Sequence, residues 1–205
     1  MLYLIPPVDT TRAGAGGRDK GPRKTAFPGS NATVMLTYQP GGVVNVTRAI
    51  RNVRLSNLDV RDGRHAGVLA PGVQNAELDG LVVHAMGTDG IVLTDAPGGG
   101  VANVHVYDVG CTGMRVTAGD AATLRAGNLQ VHDNAVHHYA KWKRSYQPGI
   151  FWGGVGNTFR GNAIAFGPHN GFLGGGDFAD GVDNLFEGNH VADCTYDTID
   201  SGGFY

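Results

Sequence analysis

The chain has 205 residues, of which 34 are glycine, and its formal net charge is −2. A chain of this length is expected to form one domain, and its glycine content is far above the average of about 7 % without the triplet period of collagen. The near-neutral charge does not indicate a nucleic-acid partner, and no apolar stretch approaches the roughly 18 residues that a membrane span needs.

Residues 1–45 precede any repeat and are interpreted as a lead-in segment. A short strand is predicted over residues 2–6, followed by a Gly/Pro-rich loop, and a second strand is predicted near residues 33–38. Two glycosylation sequons, at Asn31 and Asn45, favour secretion. An extracellular location is therefore expected for the full-length protein, although this chain carries no signal peptide.

From residue 46 onward the sequence repeats. Six stretches begin with Asn at intervals of roughly 23–29 residues, a period that is typical of a solenoid. The leading residues are Asn52, Asn75, Asn103, Asn128, Asn157 and Asn184. Five residues after each stands a second turn-former: Asn57, Gly80, Asp108, Asp133, Asn162 and Asn189. Each stretch closes on Gly before apolar residues, at Gly67, Gly90, Gly113, Gly149, Gly171 and Gly203.

Between these turns the residues alternate between apolar and polar, as in Val53-Arg54-Leu55. This period of two is typical of β-strands with one face turned inward. Three short strands and three turns in each interval predict an all-β fold, a three-sheet parallel β-helix of about six coils over residues 46–205. Asn suits the turns because it tolerates left-handed backbone, and its amide can bond the neighbouring coils. Phe159 and Phe186 are out of phase with the apolar residues of earlier coils.

The fourth coil has the longest distance from its leading Asn128 to its closing Gly149. Its excess residues form an aromatic and basic loop over residues 137–148. Aromatic faces stack on sugar rings, and cations bind hydroxyls or carboxylates. The alternative is a loop whose aromatic side chains cover the end of the core. The candidate substrate-binding residues are Trp142, Arg144, Tyr146, His138 and Trp152.

The sixth coil is also long and carries Asp193, Asp197 and Asp200. Clustered carboxylates can form an acid/base or acid/nucleophile pair, because mutual repulsion separates their pKa values. They can also be calcium ligands or plain turn residues. In the fifth coil, His169 stands in a Gly/Pro turn, a rigid position for proton transfer or hydrogen bonding. The candidate catalytic residues are therefore Asp200, Asp197 and His169.

Four segments resemble right-handed parallel β-helix proteins of the pectate-lyase-like superfamily that are grouped with glycoside hydrolases. They are LYLIPP at residues 2–7, NAVHHYAKWKRSYQPG at 134–149, GNTF with GPHN at 156–170, and DTIDSGGFY at 197–205. The resemblance implies a right-handed helix, as does the general handedness of parallel crossovers. It also implies that the chain is a fragment truncated at its C-terminus. The family further implies a carbohydrate-active enzyme whose catalytic groups are carboxylates. Asp200 stands at the motif's Asp, and Asp197 stands where the family has the longer Glu.

The leading prediction is hydrolysis of a polysaccharide. In it Asp200 is the acid or nucleophile, Asp197 is its partner or modulator, and His169 contacts the substrate or relays a proton. No metal or cofactor is expected for this chemistry. The partner is a polysaccharide, neither nucleic acid nor a membrane span is expected, and the chain is expected to be a monomer.

Two alternatives remain open. A polysaccharide lyase would use Lys141, Lys143 or Arg144 as its base, with calcium held by the three aspartates of the sixth coil. A carbohydrate-binding or surface solenoid would bind glycans without turnover, and the Asp197 departure from the family pattern favours that interpretation.

Overall fold

The computed structural model describes residues 41–48, 50–174 and 181–205, together with the backbone of two earlier strands. Those strands, β1 (Lys24–Ala26) and β2 (Thr33–Met35), pair antiparallel. The strand predicted at residues 2–6 lies outside the described residues. The chain divides into two compact units, Met1–Tyr38 and Gln39–Tyr205. Within the described residues, no helix has the length and apolar content to cross a membrane.

The second unit consists of three sheets whose successive strands run parallel. The first sheet contains β4 (Arg54–Ser56), β7 (Glu77–Asp79), β10 (Gly100–Ala102), β14 (Gln130–His132), β17 (Thr158–Arg160) and β21 (Leu185–Glu187). The second contains β5 (Asp59–Arg61), β8 (Val82–Met86), β11 (His105–Val109), β15 (Ala135–His137), β18 (Ala163–Gly167) and β22 (His190–Cys194). The third contains β3 (Val44–Asn45), β6 (Val68–Leu69), β9 (Ile91–Leu93), β12 (Met114–Asp120), β16 (Ile150–Val155) and β19 (Phe172–Gly174).

Two short strands attach to the third sheet, β13 (Arg125–Ala126) to β12 and β20 (Gly181–Val182) to β16. Apart from the antiparallel β12–β13 hairpin, the pairings in this unit are parallel. The chain visits each sheet six times and so completes about five turns. The predicted all-β, three-sheet parallel β-helix is confirmed.

Each strand sends every second side chain into a continuous core. In the first sheet Leu78, Val101, Val131 and Phe159 lie in register and are at most 1 % exposed. The second and third sheets contribute parallel rows of Val, Ile, Leu and Met. Burying one such side chain contributes about 1.5–3 kcal/mol. Stability therefore comes from rows that run along the axis, one side chain from each coil.

Each coil bends at three points, which we call corners, and each corner is a column of residues with left-handed backbone, with φ between 49° and 68°. The first two corners separate sheets, and the third lies at or near the ends of the second-sheet strands. The first corner consists of Asn52, Asn75, Gly98, Asn128, Gly156 and Asp183. The second consists of Asn57, Gly80, Asn103, Asp133, Gly161 and Gly188. The third consists of Asp62, Ala85, Asp108, His138, Phe166 and Asp193. Asn, Asp and Gly predominate because they adopt this conformation at the lowest cost.

In three coils, the Asn that was predicted to lead the repeat is not the residue at the first corner. Asn103 lies at the second corner, where the first corner of that coil is Gly98, and Asn157 and Asn184 each follow a corner residue by one position. Phe159 and Phe186 are consequently in register with the earlier coils. The number of residues from the observed first-corner residue to the closing Gly is the same in four coils and larger in the coils that close at Gly149 and Gly203. By this distance, the fourth and sixth coils remain the long ones.

The asparagines that follow a corner bond between coils through their buried side chains. Asn134 and Asn162 are 2 % and 0 % exposed. Nδ2 of Asn134 donates to Oδ1 of Asn162 over 2.9 Å, and Nδ2 of Asn162 donates to Oδ1 of Asn189 over the same distance. Asn162 Nδ2 also donates to the Val131 carbonyl at 3.0 Å. Such buried amides stabilise a fold only when they are satisfied, and these ladders tie the last three coils together.

The closing glycines enter the third sheet where the interior is narrowest. A Cβ on Gly113 would lie 2.4 Å from Cγ1 of Val136 and 2.4 Å from the Gly149 carbonyl oxygen. Gly90 has the equivalent contacts with Val106 and Gly113. The inward valines of the second sheet therefore exclude any side chain at this point, which explains why Gly recurs there.

Candidate functional site

The long loop of the fourth coil rests on the coil before it. The backbone N–H of Trp142 donates to the Gly110 carbonyl over 2.9 Å, and Lys141 Nζ pairs with Oδ1 of Asp108 at 2.7 Å. The indole of Trp142 is 67 % exposed and covers Gly110, where a Cβ would lie 2.3 Å from the ring. The first half of the loop is therefore anchored and presents an open aromatic face.

The second half of the loop is fixed by a partly buried polar network. Gln147 is 4 % exposed, and its Oε1 accepts from Oγ1 of Thr112 and from Nη2 of Arg115, each at 2.9 Å. Arg115 Nε also donates to Asp89 over 3.1 Å. This network holds the loop on the third sheet beside Tyr146. Neither Gln147 nor Arg115 is among the residues predicted from sequence, although Gln147 lies within the family-like segment.

Asp200 receives hydrogen bonds from two tyrosine hydroxyls. Tyr146 Oη donates to Oδ2 over 2.5 Å, and Tyr205 Oη donates to Oδ1 over 2.8 Å. These bonds, Tyr146 first, lower the pKa of Asp200, and His169 adds to the effect. Tyr146 and Asp200 both have left-handed backbone, with φ of 53° and 57°.

Arg144 and Asp197 join the same two loops a second time. Arg144 Nε donates to Oδ2 of Asp197, and this bond raises the pKa of the guanidinium. Both side chains are nearly half exposed, so the pair contributes little to stability. The Asp197 loop also bonds the fifth coil, because Oγ1 of Thr198 donates to the Pro168 carbonyl at 3.0 Å. The overlong fourth and sixth coils therefore meet over the Pro168–His169 turn.

His169 lies beneath Tyr146 and is 1 % exposed, with the ring centroids 5.0 Å apart. Burial lowers the pKa of the imidazole, and the nearby Asp200 partly offsets this. His169 is therefore neutral at neutral pH. Its Nδ1 and both amide atoms of the neighbouring Asn170 have no hydrogen-bond partner within the described part of the chain.

The structure brings together five of the predicted site residues: Asp200, Asp197, His169, Arg144 and Tyr146. The others lie elsewhere. His138 is at the third corner, and its ring contacts His137 and Phe166. Trp152 packs among interior aromatics, 4.9 Å from the Phe186 ring. Tyr205 is not among the predicted site residues, although it ends the family-like segment of the sixth coil.

The aspartates predicted to hold calcium are not assembled around one point. Asp193 is at the third corner, Asp197 faces Arg144, and both oxygens of Asp200 accept tyrosine hydroxyls. In residues 41–48, 50–174 and 181–205, no group of three or more His, Cys, Asp or Glu side chains is arranged to hold a metal ion.

A groove of about 660 Å³ is lined by Asp95, Thr117, Asp120, Arg125 and Phe151 among others. The β12–β13 hairpin forms one wall of the groove. It is an insertion, because more residues separate Gly113 from the next first corner than separate Gly90 from Gly98. The Arg115 guanidinium lies 5.3 Å from the centre of the Phe151 ring and also bonds Gln147. The groove is thereby connected to the loop of Tyr146, although the predicted catalytic residues do not line it.

We expect the pKa of Asp200 to lie below the ordinary value of 3.8, because both hydroxyl bonds favour the carboxylate. A depressed pKa contributes stability that is present above the unfolded-state pKa and is lost as the pH falls through the folded-state value. Tyr146→Phe should raise the Asp200 pKa, measured by NMR titration of carboxyl carbons. Tyr107→Phe, on the second sheet, is the control. An unchanged value in Tyr146→Phe would show that the hydroxyl bond is not formed in solution.

Comparison with known proteins supports the fold. No protein-family model matches the chain, and no curated protein is significantly similar in sequence. The mannuronan C-5 epimerase AlgE4 A-module of Azotobacter vinelandii matches with a TM-score of 0.58 and 17 % identity, over 80 % of this chain and 47 % of that one. The AlgE6 A-module of the same organism gives a TM-score of 0.43 and 16 % identity, over 70 % and 48 %. The chain spans about half the length of these modules, and the AlgE4 likeness shows the right-handed parallel β-helix fold.

Proposed function

We propose that the protein acts on a polysaccharide and that Asp200 is the centre of its site. The observation that carries this proposal is a carboxylate bonded by two tyrosine hydroxyls where the two overlong coils meet. The groove that contains Phe151, which Arg115 links to the Tyr146 loop through Gln147, has a volume within the range of about 300–1,000 Å³ that is typical of ligand sites. The substrate class is supported by the fold shared with an epimerase of mannuronan.

Glycoside hydrolysis is the chemistry that we assign to Asp200. Its lowered pKa keeps it ionised at neutral pH, so it is suited to act as base or nucleophile and not as the acid, and the leaving-group oxygen takes its proton from solvent water. Each carboxylate oxygen accepts one tyrosine hydroxyl and retains a lone pair for water or an anomeric carbon. Tyr146 and Tyr205 thus orient the carboxylate and leave it able to react.

The remaining residues support this centre. The Asp197 oxygen that faces Arg144 is engaged, so we assign the pair to the rim of the site, where it binds sugar hydroxyls. His169 is buried under Tyr146, and we assign it to holding that ring in place. The exposed face of Trp142 and the Phe151 ring in the groove offer stacking surfaces for sugar rings.

The lyase alternative has less support from the same contacts. The raised pKa of Arg144 keeps it protonated, so it cannot accept a proton as a base. Lys141 is paired with Asp108, which leaves Lys143 as the remaining candidate of the three. A calcium-dependent reaction would also need ligands beyond Asp197 and Asp200, whose oxygens are bonded by other side chains.

A product assay separates these functions. The protein is incubated with neutral polysaccharides and with uronate polysaccharides, and reducing ends, unsaturated uronide absorbance and glycan binding are measured. Hydrolysis predicts new reducing ends without unsaturated products, and no loss on adding a chelator. Unsaturated products that disappear with chelator would establish the lyase, and binding without turnover would establish a binding solenoid. The proposal would be rejected if the protein neither bound nor cleaved any of the glycans.

A further inference from the structure

The outer face of the second sheet carries a column of stacked rings, distinct from the site around Asp200. His84, Tyr107 and His137 occupy the same register position on β8, β11 and β15. The His84 and Tyr107 rings stack at 4.7 Å and 7°, and the Tyr107 and His137 rings at 5.3 Å and 17°. The spacing follows from the roughly 4.8 Å separation of hydrogen-bonded strands. Tyr107 therefore packs against the face of the His137 ring.

Two more imidazoles contact His137 on opposite edges of its ring. Nε2 of His105 lies 2.7 Å from Nε2 of His137, and Nδ1 of His138 lies 2.7 Å from Nδ1 of His137. His105 is on β11, and its ring also contacts Tyr107 at 4.7 Å. Three imidazoles thus form a chain in which both nitrogens of the middle ring have an imidazole neighbour.

The arrangement of the three imidazoles determines which nitrogen lone pairs are available. A neutral imidazole has one N–H and one lone pair. When Nδ1–H of His137 donates to Nδ1 of His138, the lone pair of His137 Nε2 faces His105 Nε2. An outer acceptor that fixes the tautomer of a histidine in this way is the usual partner of a metal ligand. We propose that Nε2 of His105 and Nε2 of His137 bind a divalent transition-metal ion of the Cu²⁺, Ni²⁺ and Zn²⁺ class.

The geometry suits a pair of neighbouring ligands. Two nitrogens 2.7 Å apart can both reach a point about 2.0–2.1 Å away, the usual metal–imidazole distance. The small ring rotation that aims both lone pairs at this point is soft, because the ring torsion is broad. The part of the chain that the structure describes offers no third protein ligand, so water completes the coordination. Cu²⁺ is expected to bind most tightly.

The nearby carboxylate is already engaged by another side chain. Asp108, which lies on β11 with His105, is paired with Lys141 at 2.7 Å. At the far end of the column, His84 Nε2 faces Oδ1 of Asp59 at 3.2 Å.

The test is a titration of the untagged protein with Cu²⁺ at neutral pH, followed by calorimetry and by electron paramagnetic resonance. We expect one site per chain with nitrogen couplings. His105→Ala and His137→Ala should each weaken binding by more than tenfold, and His138→Ala by roughly tenfold, the size of an outer-partner effect. His132→Ala is the matched control, because His132 lies on the first sheet beside Asp133, and it should bind Cu²⁺ as the unaltered protein does.

Circular dichroism of each variant confirms that the helix has formed, since loss of fold would also abolish binding. Absence of Cu²⁺ binding, or binding that survives in a folded His105→Ala/His137→Ala double variant, would overturn the proposal. In that case the three imidazoles form a hydrogen-bonded chain only. Neither readout depends on polysaccharide turnover, so this result is separable from the proposed function.

Discussion

Asp200→Asn is expected to lower the rate of polysaccharide hydrolysis by at least about 10³-fold, the order seen when a catalytic carboxylate is removed. The amide has nearly the same shape, but it is neither a base nor a nucleophile. Asp200 is exposed and Asn also tolerates left-handed backbone, so the melting temperature should hardly change. Reducing-end release and thermal unfolding are measured on the same preparation.

The matched control for this variant is Asp193→Asn. Asp193 belongs to the same coil, is also exposed and has a similar φ of 49°, but it lies at the third corner. Its replacement should leave hydrolysis unchanged. Retention of most activity in Asp200→Asn would refute the role of Asp200, and equal losses in both variants would point to an effect on the coil as a whole.

Asn162→Ala is expected to destabilise the β-helix by about 3 kcal/mol, because several buried polar groups lose a hydrogen-bond partner, at about 1–3 kcal/mol each. Asn162 is 0 % exposed, and its side chain bonds the amides of Asn134 and Asn189 and the Val131 carbonyl. For a chain of this size the melting temperature should fall by roughly 2–4 °C for each kcal/mol. Urea and thermal unfolding, followed by circular dichroism, measure the loss.

Asn75→Gly is the contrasting variant. Asn75 is exposed at the first corner with φ of 52°, and its amide donates to the equally exposed Asn52 over 2.7 Å. Gly adopts left-handed backbone readily, so the change in stability should stay within about 0.5 kcal/mol. Similar losses for Asn162→Ala and Asn75→Gly would contradict the separation of interior and corner asparagines.

The fold was predictable because its strands and its closing glycines have local causes. Alternation shows which side chains face inward, and close contacts with inward side chains such as Val106 and Val136 demand Gly where each of the first five coils closes. The corners are less predictable, since Gly, Asn and Asp all adopt left-handed backbone. A frame built on Asn therefore misses Gly98 as a corner and assigns Asn103 in its place.

That error also conceals the β12–β13 hairpin. Counted from Asn103, the step to Asn128 resembles the other steps; counted from the true corner at Gly98, it is the longest between successive first corners. The long fourth and sixth coils are recognisable from the sequence, because they contain extra residues whether they are counted from the leading Asn or from the observed corner. The bond between Arg115 and Gln147 was not predictable, because no local pattern marks side chains that meet between coils.

The interior asparagine ladders have a consequence for motion. They begin at Asn134, which also bonds the backbone of Val101 and Val104 in the third coil, and they continue through Asn162 to Asn189. They therefore reinforce the third to sixth coils and not the first two. In a solenoid each coil contacts only its neighbours, and its opening is therefore local. Backbone amides of the first and second coils should exchange with solvent sooner than those of the fourth and fifth. The chain thus fluctuates most where it carries no loops and remains most rigid where Tyr146 must stay aimed at Asp200.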